Sequence, residues 1–400
     1  MRNREKIVEI VARECTLMAA VLPLISIAAA SIFLSLAILG FVVLQFLNRY
    51  IEVKFPPIKL PLAIFMGTTF LALAFSPEPG MGFPPINKFW LFSLIPLVCT
   101  LFSEATILRG YRILFLLGGM GVLRSLYQWF GLQPDGRRIT GFMGHWMTFS
   151  GELMLVFVAL VGYLYFLRPQ RMFGWILLAV GMGVALGLSM TRSVWIATIL
   201  GLCCILALGK LNCKLLTMMG LIVALLLSIP GPVQRRFQSL WDSSNPSNYA
   251  RRAIWKAGFK MIAAHPLVGV GPQRVSKVFY DYHEYPEDRY RDGFFPVHLH
   301  NNLLQFAGER GIPCAIAWLW LMAKLVVDHW LSYTRFLKDA AKKTICAIGL
   351  IAVIVLFVGG QFEFNFGDSE VLMVFLFLAI APYALDRGGE MRGTSGELGG

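Results

Sequence analysis

The longest polar stretch of the chain, residues 249–311, holds most of the side chains that could do chemistry. Arg251 and Arg252 lie near its start, and His298 and His300 lie near its end. A guanidinium group stays charged and donates two parallel hydrogen bonds, which suits a phosphate. A histidine, with an unperturbed pKa of about 6.5, suits proton transfer near neutral pH. Together these residue types predict proton transfer beside a bound phosphate.

Each of these features also has a plainer interpretation. The Arg251–Arg252 pair could belong to a solvated helix face. A histidine where a loop meets a helix, such as His300, is more often a cap or a satisfied polar group than a base. The Gly269-Val270-Gly271 segment is a turn in most chains that have one, and only a weak candidate for a phosphate loop. The chemical interpretation depends on all of them lying in one loop.

Polar residues at three other places are further candidates. Arg192 interrupts an apolar stretch, and an arginine at membrane depth is costly enough to suggest a function, although it could also be an interface anchor. A glycine-rich connection carries Arg137, Arg138 and His145, which could line a site or form a plain turn. Glu309 lies near the start of a predicted membrane span, at the end that water or substrate could reach.

The composition indicates an all-α, polytopic membrane protein. The chain has 400 residues, of which 57% are hydrophobic and 15% charged, and its mean hydropathy is +0.65. Soluble domains have about 45–50% apolar and about 25% charged residues. Alternating strands of about ten residues do not recur, which excludes an outer-membrane barrel. The net charge of +13 does not indicate a nucleic-acid partner, because most cations lie in short connections beside membrane spans.

The seven cysteines lie in or beside apolar runs and form no Cys-x-x-Cys motif, so they predict neither disulfides nor a metal site. Runs long enough to cross a bilayer predict about twelve spans. They lie at about 7–29, 31–48, 58–76, 88–103, 109–130, 146–167, 172–190, 193–209, 213–230, 303–330, 344–361 and 370–386. The chain then divides into a bundle at 1–230, a large loop at 231–302, a second bundle at 303–387 and a disordered tail at 388–400.

Basic residues set the predicted orientation. With both termini in the cytoplasm, the inner connections hold nineteen Lys and Arg residues and the short outer connections hold four, namely Lys88, Arg137, Arg138 and Arg192. This asymmetry follows the positive-inside rule and turns the large loop outward. Within that loop, residues 249–264 predict an amphipathic helix with Asn248 or Ser247 as its N-cap, ending at His265-Pro266.

At these residues the chain resembles the O-antigen ligase and polymerase family of bacterial surface-polysaccharide enzymes. The matching motifs occur in the family's order: Thr191-Arg192-Ser193, then Arg251 to Trp255, His265-Pro266-Leu267-Val268-Gly269-Val270-Gly271, and His300-Asn301 before Gly311-Ile312-Pro313. The doubled Arg251-Arg252 leaves the matching arginine open, although Arg251 has the better spacing to Trp255. Cys314 departs from the small residue usual in the family.

The resemblance implies a GT-C-like enzyme of the bacterial inner membrane that works at the periplasmic face without metal or other cofactor. Its donor would be a glycan on undecaprenyl pyrophosphate and its acceptor the lipid A–core or another glycan. Arg192 and Arg251 or Arg252 would hold the pyrophosphate, and His300 would be the base. His298, Asn301, Arg137, Arg138, His145 and Glu309 could support them. On an extended segment His298 and His300 would point to opposite sides, so only one should face the acceptor.

Three interpretations remain. The first is a ligase that joins the glycan to lipid A–core. The second keeps the donor chemistry and changes the acceptor, as a polysaccharide polymerase or a protein O-oligosaccharyltransferase. The third is a transporter of the lipid-linked sugar, which should place its charges at mid-membrane between repeated halves. No internal repeat is present and the polar residues gather in an outer loop, which favours an enzyme.

Overall fold

The computed structural model describes residues 2–47, 52–132, 138–209, 220, 231–239, 242, 245–284 and 296–385. Within these residues the chain is helical and contains no β-strand. The α-helices are α1 Arg2–Val21, α2 Ile27–Leu47, α3 Lys59–Ala74, α4 Phe83–Asn87, α5 Leu94–Leu101, α6 Glu104–Tyr127, α7 Trp146–Phe166, α8 Met172–Leu188, α9 Arg192–Leu208, α10 Pro232–Gln238, α11 Pro246–Ala264, α12 Val275–Tyr282, α13 Asn302–Arg310, α14 Ile312–Arg335, α15 Ala340–Gly359 and α16 Ser369–Ile380. Short 3₁₀ segments lie at Leu22–Leu24, Pro79–Gly82, Lys88–Ser93, Asn365–Gly367 and Ala381–Leu385, and a π-helical turn lies at Gln128–Leu132.

Six helical segments of the described chain are long and apolar enough to cross a membrane: Ile27–Leu47, Pro79–Leu101, Glu104–Gly131, Trp146–Phe166, Ile312–Arg335 and Ala340–Gly359. Four shorter apolar segments accompany them: Lys59–Ala74, Met172–Leu188, Arg192–Leu208 and Ser369–Leu385. The predicted class, a polytopic helical membrane protein, is confirmed. The span predicted at 213–230 lies outside the described residues, and the count of twelve stays a prediction.

Helices α7 and α15 form the centre of the bundle. In the most apolar part of α7, 89% of the residues are buried inside the protein. Helix α15 packs against α7, α9, α14 and α16. A helix that is apolar on every side, as α7 is, is expected where protein surrounds it. By contrast, only 22% of the residues in the most apolar part of α2 are buried, which leaves most of its apolar surface for lipid.

The helix predicted at 303–330 is broken into α13 and α14. Gly311 joins them with a φ of +86°, a conformation that disfavours any side chain, and Pro313 follows in the first turn of α14. The break leaves Glu309 at the end of α13, outside the membrane-spanning helix. The prediction of one continuous span is therefore wrong at its outer end.

The loop helix α11 is longer than predicted at its start. Asn245 caps it by accepting a hydrogen bond from the backbone N–H of Ser247 at 3.1 Å, and Pro246 occupies the first turn. The predicted caps, Asn248 and Ser247, are therefore inside the helix. Its apolar face is buried in a small core of the loop's own residues, formed by Ala253, Ile254, Ala257, Met261, Val270, Val275, Phe279 and Leu299.

Connections that were predicted on one side of the membrane contact one another. On the predicted outer side, the hydroxyl of Thr148 donates to Oδ2 of Asp368 at 3.1 Å. On the predicted inner side, Arg109 donates to both carboxylate oxygens of Glu14 at 2.7 Å. Each contact joins two connections that were predicted to lie on the same side of the membrane. The loop at 361–368 is thereby brought to the same end of the bundle as the large loop.

Candidate functional site

His298 and His300 lie side by side on the segment that enters α13, with ring centroids 4.2 Å apart. The prediction that they point to opposite sides is wrong because the segment is not extended at His300, where φ is +48°. A side-chain-bearing residue in this left-handed region is uncommon and persists where its surroundings hold it. Here the backbone N–H of His300 donates to Nδ1 of His298 at 3.3 Å.

Asn301, and not His300, caps α13. Its Oδ1 accepts from the backbone N–H of Leu304 at 3.0 Å, and its Nδ2 donates to the backbone oxygen of Gln361 at 3.0 Å. The alternative interpretation of His300 as the helix cap is therefore wrong. Asn301 fixes the start of α13 and ties it to the loop at 361–368.

Glu363 joins the two imidazoles through its carboxylate. Oε2 lies 3.1 Å from Nδ1 of His300, and Oε1 lies 3.3 Å from Nε2 of His298. Burial raises the pKa of Glu363, but the hydrogen bond from His300 and the electrostatic interactions with His300, His298 and Arg251 outweigh it, so the pKa lies below its usual value of 4.5. Glu363 is therefore a carboxylate near neutral pH.

The contact with Glu363 decides which nitrogen of His300 can accept a proton. A carboxylate only accepts hydrogen bonds, so the hydrogen of the neutral ring is assigned to Nδ1. Nε2 then carries a lone pair, and it makes no hydrogen bond within the described residues. His300 thus has one nitrogen oriented by a carboxylate and the other free, as a general base requires.

His298 has both of its nitrogens engaged. Nδ1 accepts from the backbone of His300, so the ring hydrogen lies on Nε2 and points to Glu363. Burial lowers the pKa of His298 to about 4, even though the charge of Glu363 opposes the shift. His298 therefore stays neutral at pH 7 and holds Glu363 from the side opposite to His300.

Four arginines from three separate parts of the chain meet next to this cluster. Arg138, Arg192, Arg236 and Arg251 are close enough to influence one another electrostatically. Burial, followed by the charges of Arg138 and Arg251, lowers the pKa of Arg236 to about 10. All four remain charged at neutral pH. Like charges gathered in a half-buried place favour an anionic ligand, because an anion removes their repulsion.

Arg251 and Arg252 point to different surroundings. Arg251 is partly buried, interacts with the charge of Glu363, and makes no hydrogen bond within the described part of the chain. Arg252 is exposed and lines a separate groove with Lys256 and Lys260. The geometry therefore puts Arg251, the residue with the better spacing to Trp255, beside the histidine cluster and Arg252 outside it.

Arg192 is buried, with 4% of its surface exposed, and its guanidinium is hydrogen-bonded within the protein. Nη1 donates to the backbone oxygen of Ser239 at 2.7 Å, and Nη2 donates to Oδ1 of Asn248 at 2.6 Å. The interpretation of Arg192 as an exposed interface anchor is wrong. The contacts connect the first turn of α9 to α11, the helix that carries Arg251.

The remaining predicted residues differ in their placement. Arg137 lies outside the described residues. Arg138 lies over the ring of Trp146, with Cζ 4.9 Å from the ring centroid. His145 caps α7 by accepting from the backbone of Met147 at 3.2 Å, and it interacts electrostatically with Glu363.

Glu309 is buried at 3% exposure, and Oε1 accepts from the backbone N–H of Gln273 at 2.9 Å. Burial raises the pKa of Glu309 to about 7, against the opposing charge of Arg310. Glu309 also lines a cavity, so the expectation that water or substrate can reach it stays a prediction. Its hydrogen bond to Gln273 holds the loop against α13.

The glycines of the His265–Gly271 segment also allow the loop to pack against α13. The backbone N–H of Val270 donates to the oxygen of Gly308 at 2.8 Å. At Gly269, where φ is +67°, an added Cβ would lie 2.3 Å from the backbone carbon of Glu309. These glycines allow close contact between the loop and α13, which favours the turn over a phosphate loop.

His298, His300 and Glu363 also have the donor atoms of a transition-metal site, since one ligand atom from each lies within 4.8 Å of the others. The surrounding charge argues against a cation, because four guanidinium groups lie nearby. The hydrogen-bonded arrangement explains the same geometry and leaves an anion as the ligand that the charges favour.

Three residues of the site were missed by the sequence interpretation: Glu363, Asp368 and Arg236. The connection that carries Glu363 and Asp368 is acidic. Its three acidic residues, the third being Glu370, are the few negative charges opposite a basic loop, and that complementarity was the available signal. Burial, followed by the charge of Glu363, raises the pKa of Asp368 to about 7.

The arrangement combines an oriented base with a cationic site for an anion. It can take a proton from a hydroxyl while stabilising negative charge on a departing phosphate. The family model described as O-antigen ligase matches residues 177–319, which run from α8 into α14. The match includes Arg192, Arg251 and His300, so the resemblance based on these motifs is confirmed over this range. No curated protein matches the chain.

Proposed function

Since residues 177–319 are similar to the O-antigen ligase family, we propose that this protein transfers a glycan from undecaprenyl pyrophosphate to an acceptor hydroxyl. The preferred acceptor is lipid A–core, and the reaction takes place at the periplasmic face of the inner membrane. The observation that carries the proposal is His300, whose Nδ1 lies 3.1 Å from the Glu363 carboxylate beside four arginines. A base and an anion site in one place are the minimum that this reaction needs.

In the proposed reaction, Nε2 of His300 takes the proton of the acceptor hydroxyl. The oxygen bonds to the anomeric carbon as the bond from that carbon to the pyrophosphate oxygen breaks. The pyrophosphate leaves with the bonding electron pair, and the configuration at the anomeric carbon is inverted. Glu363 stabilises the imidazolium that forms on His300 and keeps the ring in position.

The arginines take the role that a divalent cation plays in many pyrophosphate-releasing enzymes. Arg251 and Arg138 make no hydrogen bonds within the described residues that would occupy their guanidinium groups. They are the first candidates for contact with the departing phosphates. Arg192 and Arg236 contribute charge, and Arg192 also positions the helix of Arg251. Transfer should consequently persist in the presence of a chelator.

A polymerase or a protein O-oligosaccharyltransferase would use the same donor chemistry with another acceptor. The decisive experiment supplies purified protein in vesicles with one lipid-linked glycan and, in turn, lipid A–core, excess lipid-linked glycan or a serine-containing protein. Glycan on lipid A–core supports the ligase, and elongated lipid-linked glycan supports the polymerase.

A transporter without chemistry is the alternative from another class. It would move the lipid-linked glycan across vesicles and leave the pyrophosphate bond intact. The polar groups gather at one end of the bundle, among loop residues such as Glu363 and Arg251, which favours an enzyme over a mid-membrane pathway. Bond cleavage that depends on His300 would separate the two classes, because transport alone leaves the donor unchanged.

A further inference from the structure

A cavity of about 240 Å³ lies beside the histidine cluster, on the outer side of the bundle. One of its walls is aromatic and includes Phe89, Phe364 and Phe366. Its polar lining includes His298 and Asp368. None of the four arginines described above lines it, so the cavity and the anion site are separate spaces.

The cavity shares a wall with the proposed base. The ring of His298 lines the cavity, its centroid is 6.1 Å from that of Phe364, and it is 4.2 Å from that of His300. A ligand in the cavity would therefore contact His298, whose ring lies next to that of His300. The arginine cluster approaches the same carboxylate, Glu363, through Arg251.

Inverting displacement requires the nucleophile and the leaving group on opposite faces of the sugar carbon. The four arginines indicate the space of the leaving pyrophosphate. The cavity is a second space beside the same histidines, and its charged lining pairs Lys88 and Arg310 with Glu309 and Asp368. We propose that this cavity binds the terminal sugar ring of the acceptor and directs its hydroxyl to His300. The proposal rests on the proposed glycan transfer and adds the position of the acceptor to it.

The lining suits a sugar ring. A sugar has an apolar C–H face, which packs on an aromatic wall, and a polar edge, which needs a few hydrogen-bonding groups. Phe306 contacts Phe364 and Phe366 edge-to-face at 5.6 and 5.9 Å, which makes the wall rigid. Ser276 and Asp368 also line the cavity and offer hydroxyl and carboxyl oxygens.

The alternative occupant is the isoprenoid chain of the donor. The cavity is below the volume of roughly 300–1,000 Å³ that drug-sized ligands occupy, so it suits one small ring better than a long chain. Its mouth is formed by exposed residues, including Ser276 and Val297, of which Val297 is 66% exposed. The small volume and the polar groups inside the cavity favour a saccharide ring over a lipid chain.

Filling the cavity from its mouth tests the assignment. Ser276→Trp and Val297→Trp each place an indole at the mouth, on exposed positions where folding should tolerate it. Asp281→Trp is the matched control, because Asp281 is exposed on the same helix α12 and lines no described cavity. Purified variants are compared for binding of lipid A–core, binding of the lipid-linked glycan and single-turnover transfer.

Both blocking variants should weaken lipid A–core binding at least about tenfold, equivalent to about 1.4 kcal/mol, while donor binding and the control stay near wild type. Weakened donor binding with unchanged acceptor binding would assign the cavity to the isoprenoid or donor glycan and overturn the proposal. Unchanged binding of both would overturn it as well. Wild-type protein that binds both substrates and transfers nothing would instead refute the proposed function, since binding is measured separately.

Discussion

Replacing Glu363 by glutamine tests the pairing at the centre of the site with almost no change in shape. Oε2 of the carboxylate is hydrogen-bonded to Nδ1 of His300 at 3.1 Å, and Oε1 lies 3.3 Å from Nε2 of His298. An amide has one accepting oxygen and one donating nitrogen, so it cannot accept from both rings. If its nitrogen faces His300, Nδ1 must become the acceptor and the hydrogen moves to Nε2, where the proton should be taken up.

The expected loss follows from the removal of an oriented base. General base catalysis contributes typically 10²–10⁴-fold, which corresponds to about 3–5 kcal/mol in the activation free energy. We expect Glu363→Gln to lose this factor in the single-turnover rate while donor binding stays close to wild type. Quenched-flow transfer and equilibrium donor binding on the purified protein measure the two quantities. Glu370→Gln, in the first turn of α16, is the charge-matched control.

The orienting role of Glu363 can be refuted by comparing His300→Gln with the double variant that carries both His300→Gln and Glu363→Gln. If Glu363 acts through His300, the double variant should be no slower than His300→Gln alone, because residues that act as a unit are not additive. Glu363→Gln with a rate near wild type would refute the orienting role. Losses that multiply in the double variant would show that Glu363 acts independently of His300.

Three further predictions concern other parts of the molecule. Arg251→Lys keeps the charge but loses the planar fork, so we expect transfer to fall by about 10²–10³-fold, with Arg252→Ala near wild type, in the same assay. Equal losses would contradict the different placement of the two arginines. Ser276→Cys should react with an impermeant maleimide added from the periplasm, and Ser332→Cys should not. Reaction of Ser332→Cys alone would show that the predicted membrane orientation is reversed. For Glu309 the folded pKa of about 7 exceeds the usual value of 4.5, so the folded state binds the extra proton. The free energy of unfolding therefore falls as pH rises between these values and then levels off. Thermal unfolding should therefore show a smaller loss of Tm from pH 5 to pH 8 in Glu309→Gln than in wild type, and identical losses would refute the shift.

Properties with a local signature were predictable from the sequence. Apolar runs predicted the helical membrane class, because crossing hydrocarbon requires long runs whatever the tertiary structure. The amphipathic pattern predicted α11, whose end at His265 was correct. Motif spacing favoured Arg251 over Arg252, and the structure brings Arg251 near Glu363.

Properties that depend on distant pairing were not predictable in this way. The partner of His300 is 63 residues away in the sequence, across α14 and α15, and no period or spacing links the two. The positive φ of His300 turns both imidazoles to one carboxylate. The types of the neighbouring residues do not predict a positive φ at a residue other than glycine.

The break of the tenth predicted span had a signal in the sequence. Gly311 and Pro313 are residues that interrupt helices, and the structure breaks the helix at Gly311.

The distance in sequence between His300 and Glu363 bears on how the protein is made. Ribosomes deliver the arginines, both imidazoles and the acceptor cavity's first residues well before the loop at 361–368, which appears only after α15. A nascent or truncated chain that ends at α14 therefore contains both imidazoles but not the carboxylate that orients them. Dividing the protein in the short connection between Arg335 and Ala340 tests this dependence. We expect the larger fragment to be inactive alone and the smaller fragment, which carries Glu363, to restore transfer.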